Sequence, residues 1–163
     1  MINIRQLITR RSGQTMVEFA LLAPIFFLLV MGVFDLGRAG FYFVTVSDLA
    51  RSAAREAVTY DTGQPLLDSQ IVTDIGKPAR SMAITSFIQP AACGTTTPPN
   101  PLTSCYQPPI GSAYIFIDRS GLTSFPKYLK VSIVYHFEPT TPMIRAIFQT
   151  YYVVGSSTME TEF

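Results

Sequence analysis

The stretch Gly13-Gln14-Thr15-Met16-Val17-Glu18-Phe19-Ala20-Leu21-Leu22-Ala23-Pro24, continuing as Ile25-Phe26-Phe27-Leu28-Leu29-Val30-Met31-Gly32-Val33-Phe34, decides the fold. From Phe19 to Phe34 it holds no charged residue and nothing more polar than Gly32. At 1.5 Å rise per residue, Val17 to Phe34 makes about 27 Å of helix, close to the roughly 30 Å hydrocarbon core of a bilayer. Only helices and closed barrels satisfy their backbone groups in lipid. Residues 14–34 are therefore read as a membrane-spanning helix.

Three features set this span apart. Glu18 stands at the edge of the run, where a carboxylate is costly in lipid and points to a function and a partner. Gly13 follows Arg10 and Arg11 closely and opens the helix. Pro24 lies inside the helix, removes one backbone hydrogen bond and invites a kink. Two plainer readings stay open. One is a cleaved secretory signal, although the run exceeds the usual apolar region of about 7–15 residues and no small-x-small site follows Phe34. The other is a simple signal anchor that happens to carry a glutamate.

At these residues a resemblance emerges. Gly13 followed by Gln14-Thr15-Met16-Val17-Glu18-Phe19 resembles a type IV prepilin processing site. The longer pattern is Val17-Glu18-Phe19-Ala20-Leu21, Pro24, Gly32, Gly37-Arg38-Ala39 and Ala53-Ala54-Arg55-Glu56-Ala57. It is similar to the TadE-like family, minor pilins (pseudopilins) of the tight-adherence pilus system. The likeness covers roughly residues 11 to 60 and returns weakly from Val131 to Glu162. It implies cleavage after Gly13 by a membrane-embedded prepilin peptidase, leaving Gln14 as the mature amino terminus. It further implies that Glu18, at the fifth mature position, meets the amino terminus of a neighbouring subunit, with Phe19 and Pro24 as secondary assembly residues. The implied partners are the peptidase, other pilin or pseudopilin subunits, the inner-membrane pilus platform and the lipid bilayer. Major pilins of this system are very short chains, so the sizeable remainder of this one favours a minor, priming or tip component.

Charge supports a topology. Three of the 12 basic residues, Arg5, Arg10 and Arg11, lie in the leader without an acidic partner, which leaves 9 against 11 acidic side chains in the rest of the chain. Basic residues before a span orient it with the amino terminus inside. The body is then expected outside the cytoplasmic membrane, and after assembly on an extracellular pilus. A mildly acidic body gives no support for nucleic-acid binding. In an oxidising compartment Cys93 and Cys105 would pair, closing a loop worth on the order of 3 kcal/mol. The alternatives are free thiols or a metal site, and the latter lacks ligands and zinc-type spacing.

Taken in order, residues 1–13 read as a cytoplasmic leader and 14–34 as the span. Residues 35–60 read as an amphipathic extension of the same helix. Ala39, Phe43, Val46, Ala50, Ala53 and Ala57 recur at alternating steps of three and four and form one stripe, with Thr45, Asp48, Ser52 and Arg55 mostly off it. Small side chains let another backbone approach there, and both uses are expected: the carboxyl-terminal half of the stripe against the domain's own sheet and the membrane half against neighbouring subunits. Asp35 and Arg38 stand three apart just past the span and either pair or remain solvated. Asp61-Thr62-Gly63-Gln64-Pro65 is expected to stop the helix. Leu66 to Gln89 predicts a second helix, interrupted near Gly76-Lys77-Pro78, and residues 90–112 a Pro/Thr-rich loop.

Strands are expected at Ala113–Asp118, Tyr128–Phe137 and about Gln149–Glu160, with a bulge or bend at Gly155. Met143, Ile144, Ile147 and Phe148 predict either a short apolar helical turn that meets a partner or a packed loop. The fold class is thus α+β: a long amino-terminal helix packed on a small three-stranded antiparallel sheet, with a second short helix, the domain occupying 61–163. No catalytic constellation, cofactor motif or metal motif is visible, so no enzyme is expected. The single histidine, His136, is expected to be an exposed sheet residue. Asp61, Asp68 and Asp74 are spaced wrongly for an EF-hand, which leaves only a loop cation site open. The alternative function is an uncleaved, membrane-anchored extracytoplasmic binding module.

Overall fold

The computed structural model describes residues 12–59, 70–75, 86–88, 93, 97–123, 127–147 and 151–161. The expected stop at Asp61–Pro65, the break at Gly76–Pro78, and Phe148 lie outside them.

Helix α1, Ser12–Thr59, runs unbroken for 48 residues and passes through Pro24. At 1.5 Å per residue it is about 72 Å long, far more than a bilayer needs. A second helical segment, α2, covers residues 70–75. Four strands follow: β1 (Ser86–Ile88), β2 (Ser112–Asp118), β3 (Lys127–Phe137) and β4 (Tyr151–Thr161). A short helix, α3 (Pro142–Ile147), joins β3 to β4. The sheet order is β1-β2-β3-β4. The β2–β3 and β3–β4 pairs are antiparallel, as the alternation of apolar and polar residues predicts. β1 corrects the expectation of a helix reaching Phe87: Ser86, Phe87 and Ile88 pair in parallel with Ser112, Ala113 and Tyr114. A strand of three residues is too short for its period to show in sequence.

The carboxyl-terminal half of α1 lies across one face of this sheet. Val46, Ala50 and Ala53 are wholly buried there against Ile115, Val131 and Ile133. Ile71 and Ile75 of α2 close the same core. The expected stripe needs one change. Phe43 points outward, 56% exposed, and Tyr42 takes the inner position, stacked on Tyr135 with ring centroids 4.9 Å apart. Thr45 is buried as well, because the helix meets a broad sheet and not a narrow seam.

Gly155 pairs with Ile133 in unbroken register, so it marks no bulge. Its role is close approach. A Cβ there would stand 2.9 Å from the backbone of Val46 and Ser47, so the missing side chain lets α1 settle onto β4.

The other face of the sheet is covered by the Pro/Thr-rich loop. Tyr106 packs on Phe116 and Val134, with Cys93 and Leu102 against them. The Tyr106 hydroxyl donates to the Cys93 carbonyl at 2.8 Å, and Cys93 is disulfide-bonded to Cys105. His136 is consequently half-buried, not exposed as its strand position alone suggests. Its Nδ1 lies 2.9 Å from the Pro108 carbonyl and its ring 4.9 Å from that of Tyr152.

Candidate functional site

Every residue expected in processing and assembly, Gly13, Gln14, Glu18, Phe19 and Pro24, lies on the amino-terminal half of α1. Among the described residues this half touches almost nothing else. Phe19 and Phe34 are each 71% exposed, and Met16, Leu21 and Ile25 are similarly bare. An apolar helix with no buried face is unstable in water, since each large aliphatic or aromatic side chain left exposed forgoes about 1.5–3 kcal/mol. Its complement is therefore lipid or other apolar helices. It is long and apolar enough to cross a membrane, and the arrangement is that of a membrane anchor.

Gln14 and Glu18 meet one turn apart: the Gln14 side-chain amide donates to a Glu18 carboxylate oxygen at 3.2 Å. Both remain exposed, so the carboxylate keeps room for a charged partner. The disulfide pair is remote in role, holding the loop on the sheet face away from α1.

A second constellation lies where α1 leaves the apolar run. Asp35, the first charged residue after Phe34, is only 5% exposed. Its carboxylate accepts the backbone N–H groups of Thr140 at 3.1 Å and Thr141 at 2.9 Å. Thr141 is also the residue before Pro142, and its carbonyl accepts the Arg145 N–H at 3.0 Å, closing the first turn of α3. Burial alone would raise the Asp35 pKa. The hydrogen bonds from Thr141 and Thr140 and the Arg38 guanidinium outweigh it, so the group is held below its ordinary value. Arg38 stands 3.5 Å from Asp35, donates to the Thr140 hydroxyl, and lies over the Phe137 ring, 5.6 Å from its centroid. Arg145 pairs with Glu138 at 2.6 Å. Spacing alone leaves Asp35 and Arg38 either paired or solvated; that both also grip a loop more than 100 residues away is visible only in three dimensions.

Beside this clasp an open cleft of about 430 Å³ is bordered by Arg38, Tyr42, Ile110, Tyr135, His136 and Arg145. Burial and the neighbouring Tyr42 push the Tyr135 hydroxyl up to about 12. Among the described residues, no group of three or more His, Cys, Asp or Glu side chains is placed to hold a metal ion.

Fold and site together define a stalked protein, an apolar helical anchor carrying an α+β head. The family model described as TadE, TadE-like protein, matches residues 13–55, the family that the sequence resembles. The match takes in the apolar run, the Asp35–Arg38 junction and most of the helix that packs on the sheet. No curated protein and no solved structure matches the chain.

Proposed function

We propose that this chain is a minor pilin (pseudopilin) of a tight-adherence, type IV-like pilus or secretion machine. A prepilin peptidase removes residues 1–13 at the cytoplasmic face, and Gln14 becomes the amino terminus. Residues 14–34 hold the subunit in the cytoplasmic membrane, and the domain from 61 to 163 stands outside it. The observation that carries the reading is the bare apolar half of α1, which has Gly13 and Glu18 at its start and lies within the TadE-like match.

In this scheme the platform in the inner membrane gathers subunits, and their apolar helices pack on one another. Glu18 answers the new amino terminus of a neighbour. Both charges lose water there, and removing one partner of such a buried pair costs about 3–5 kcal/mol. Glu18 thereby fixes the axial register of adjoining helices. Pro24 leaves the Ala20 carbonyl without its usual helical donor, which eases local bending as a subunit passes from bilayer to assembly.

The test is complementation of a strain lacking this protein with Glu18→Ala. The variant should be processed normally and inserted in the membrane, yet pilus output should fall. Normal pilus output from it would remove the role given to Glu18.

A further inference from the structure

The underside of the domain is held at a set height on α1. Gly32 lies two residues inside the end of the uncharged run at Phe34. The Ile144 Cδ1 of α3 stands 3.5 Å from the place a Cβ on Gly32 would occupy. Just above, Asp35 binds the backbone of Thr140 and Thr141, and Arg38 binds the Thr140 hydroxyl. The Ile144 contact sets α3 against the last turn of the apolar run, and the Asp35 and Arg38 bonds hold the two residues before α3 just above it.

Heights along the helix axis then assign surroundings. Arg38 is four residues past Phe34, about 6 Å further along. The headgroup layer on each side of the hydrocarbon core is about 5–8 Å thick, so Arg38 falls at lipid phosphate level. Ile144, level with Gly32, falls at the acyl boundary. Met143 beside it is 59% exposed. Scattered exposed aliphatic residues are ordinary on any protein surface, so it is the height of this pair that carries meaning. Arg145, on the same short helix, pairs with Glu138 at 2.6 Å yet keeps a 60% exposed side chain, and a guanidinium with five N–H donors has others to offer a phosphate.

We propose that α3 is a membrane-seating foot: Met143 and Ile144 enter the leaflet on the domain's side, and Arg38 and Arg145 meet lipid phosphates. The occupant is a lipid surface because the foot is continuous with the apolar run that the bilayer surrounds. Aliphatic residues at the acyl boundary with arginines just above are the composition of an interfacial helix. The inference rests on the membrane-anchored reading of α1.

The full chain can test it. A single cysteine at Met143 carries a nitroxide, since Cys93 and Cys105 are already joined. The protein is placed at one copy per nanodisc of phosphatidylethanolamine and phosphatidylglycerol. Collision rates with oxygen, which enters lipid, and with a nickel chelate, which does not, are compared with those of labels at Leu29→Cys and Arg51→Cys. The Met143 label should resemble Leu29, with oxygen collisions favoured several-fold over Arg51. A Met143 label as open to nickel as Arg51, while Leu29 is protected, overturns the foot and leaves the anchor standing. Nickel access at Leu29 overturns both. Protection of Met143 only when several copies share a disc overturns the lipid assignment in favour of a second copy.

Discussion

Asp35 accepts the backbone N–H of Thr141 at 2.9 Å across 106 residues of sequence. The bond joins the foot of the domain to the residue at which α1 leaves its apolar run. It makes stalk and head one mechanical unit, so a shift or rotation of the helix is passed to the head. It also explains how an acidic residue directly after the apolar run is accommodated: Asp35 is satisfied within the protein.

Replacing Asp35 should loosen this junction. Asp35→Ala leaves the buried Thr141 N–H without an acceptor and turns the more exposed Thr140 N–H over to water, so at roughly 1–3 kcal/mol for an unsatisfied group the loss should be about 1–3 kcal/mol. Asp35→Asn keeps an oxygen acceptor and should cost less. Thermal unfolding of the detergent-solubilised protein measures both, and an unchanged midpoint in Asp35→Ala would refute the clasp.

The clasp has a pH signature. Its carboxylate is held below the ordinary value of 3.8, so the folded state binds this proton more weakly than the unfolded chain does. The contribution is then fully present above pH 3.8 and lost as pH falls below it through the folded value. Unfolding midpoints followed from pH 6 to pH 2 should drop more steeply in the wild type than in Asp35→Asn. Tyr135 acts at the opposite end: with its hydroxyl pushed up to about 12, stability is lost as pH rises above the ordinary 10, because the unfolded chain ionises first. Tyr135→Phe should flatten that alkaline decline.

Gly155→Ala should destabilise although it is a single added methyl group. The obstacle is helix backbone at 2.9 Å, not a side chain that can swing away, so β4 or α1 must shift. Overpacking of this kind costs about 1–3 kcal/mol, and Gly155→Val should cost more. An alanine variant as stable as wild type would mean that the helix–sheet approach is looser than described.

The disulfide should matter to the loop more than to the sheet beneath α1. Cys93→Ser with Cys105→Ser removes a closure worth about 3 kcal/mol for a loop of this length and frees the cover over Phe116 and Val134. Hydrogen exchange should rise first in residues 97–111 and at the β2–β3 pairing, while β3–β4 under α1 stays protected. Uniform exchange across the sheet would contradict two separate cores.

Much of this architecture was legible beforehand because it is written in periods. The uncharged run from Phe19 to Phe34 announces a span, steps of three and four from Val46 to Ala57 announce the packed helix, and alternation from Leu129 to Phe137 announces β3. What stayed hidden has no period. β1 is three residues paired in parallel. His136 alternates onto what reads as the polar face, yet a proline-rich loop covers it. Gly155 reads as a bend because absence of a side chain in sequence does not reveal what comes close in space. The Asp35 clasp was half visible: an acid directly after a span signals something, but its partners are backbone groups of Thr140 and Thr141, which carry no side-chain signature. The residues proposed for processing and assembly show only as a local pattern, since among the described residues little packs on the half of α1 that carries them.

The central claim concerns the amino terminus, and intact-mass spectrometry tests it most directly. The protein is produced with its cognate prepilin peptidase, purified from membranes, and weighed alongside a sample from cells lacking the peptidase. The account predicts a mature chain that begins at Gln14 only when the peptidase is present. A functional protein that still carries Met1 through Gly13 in both samples would contradict it.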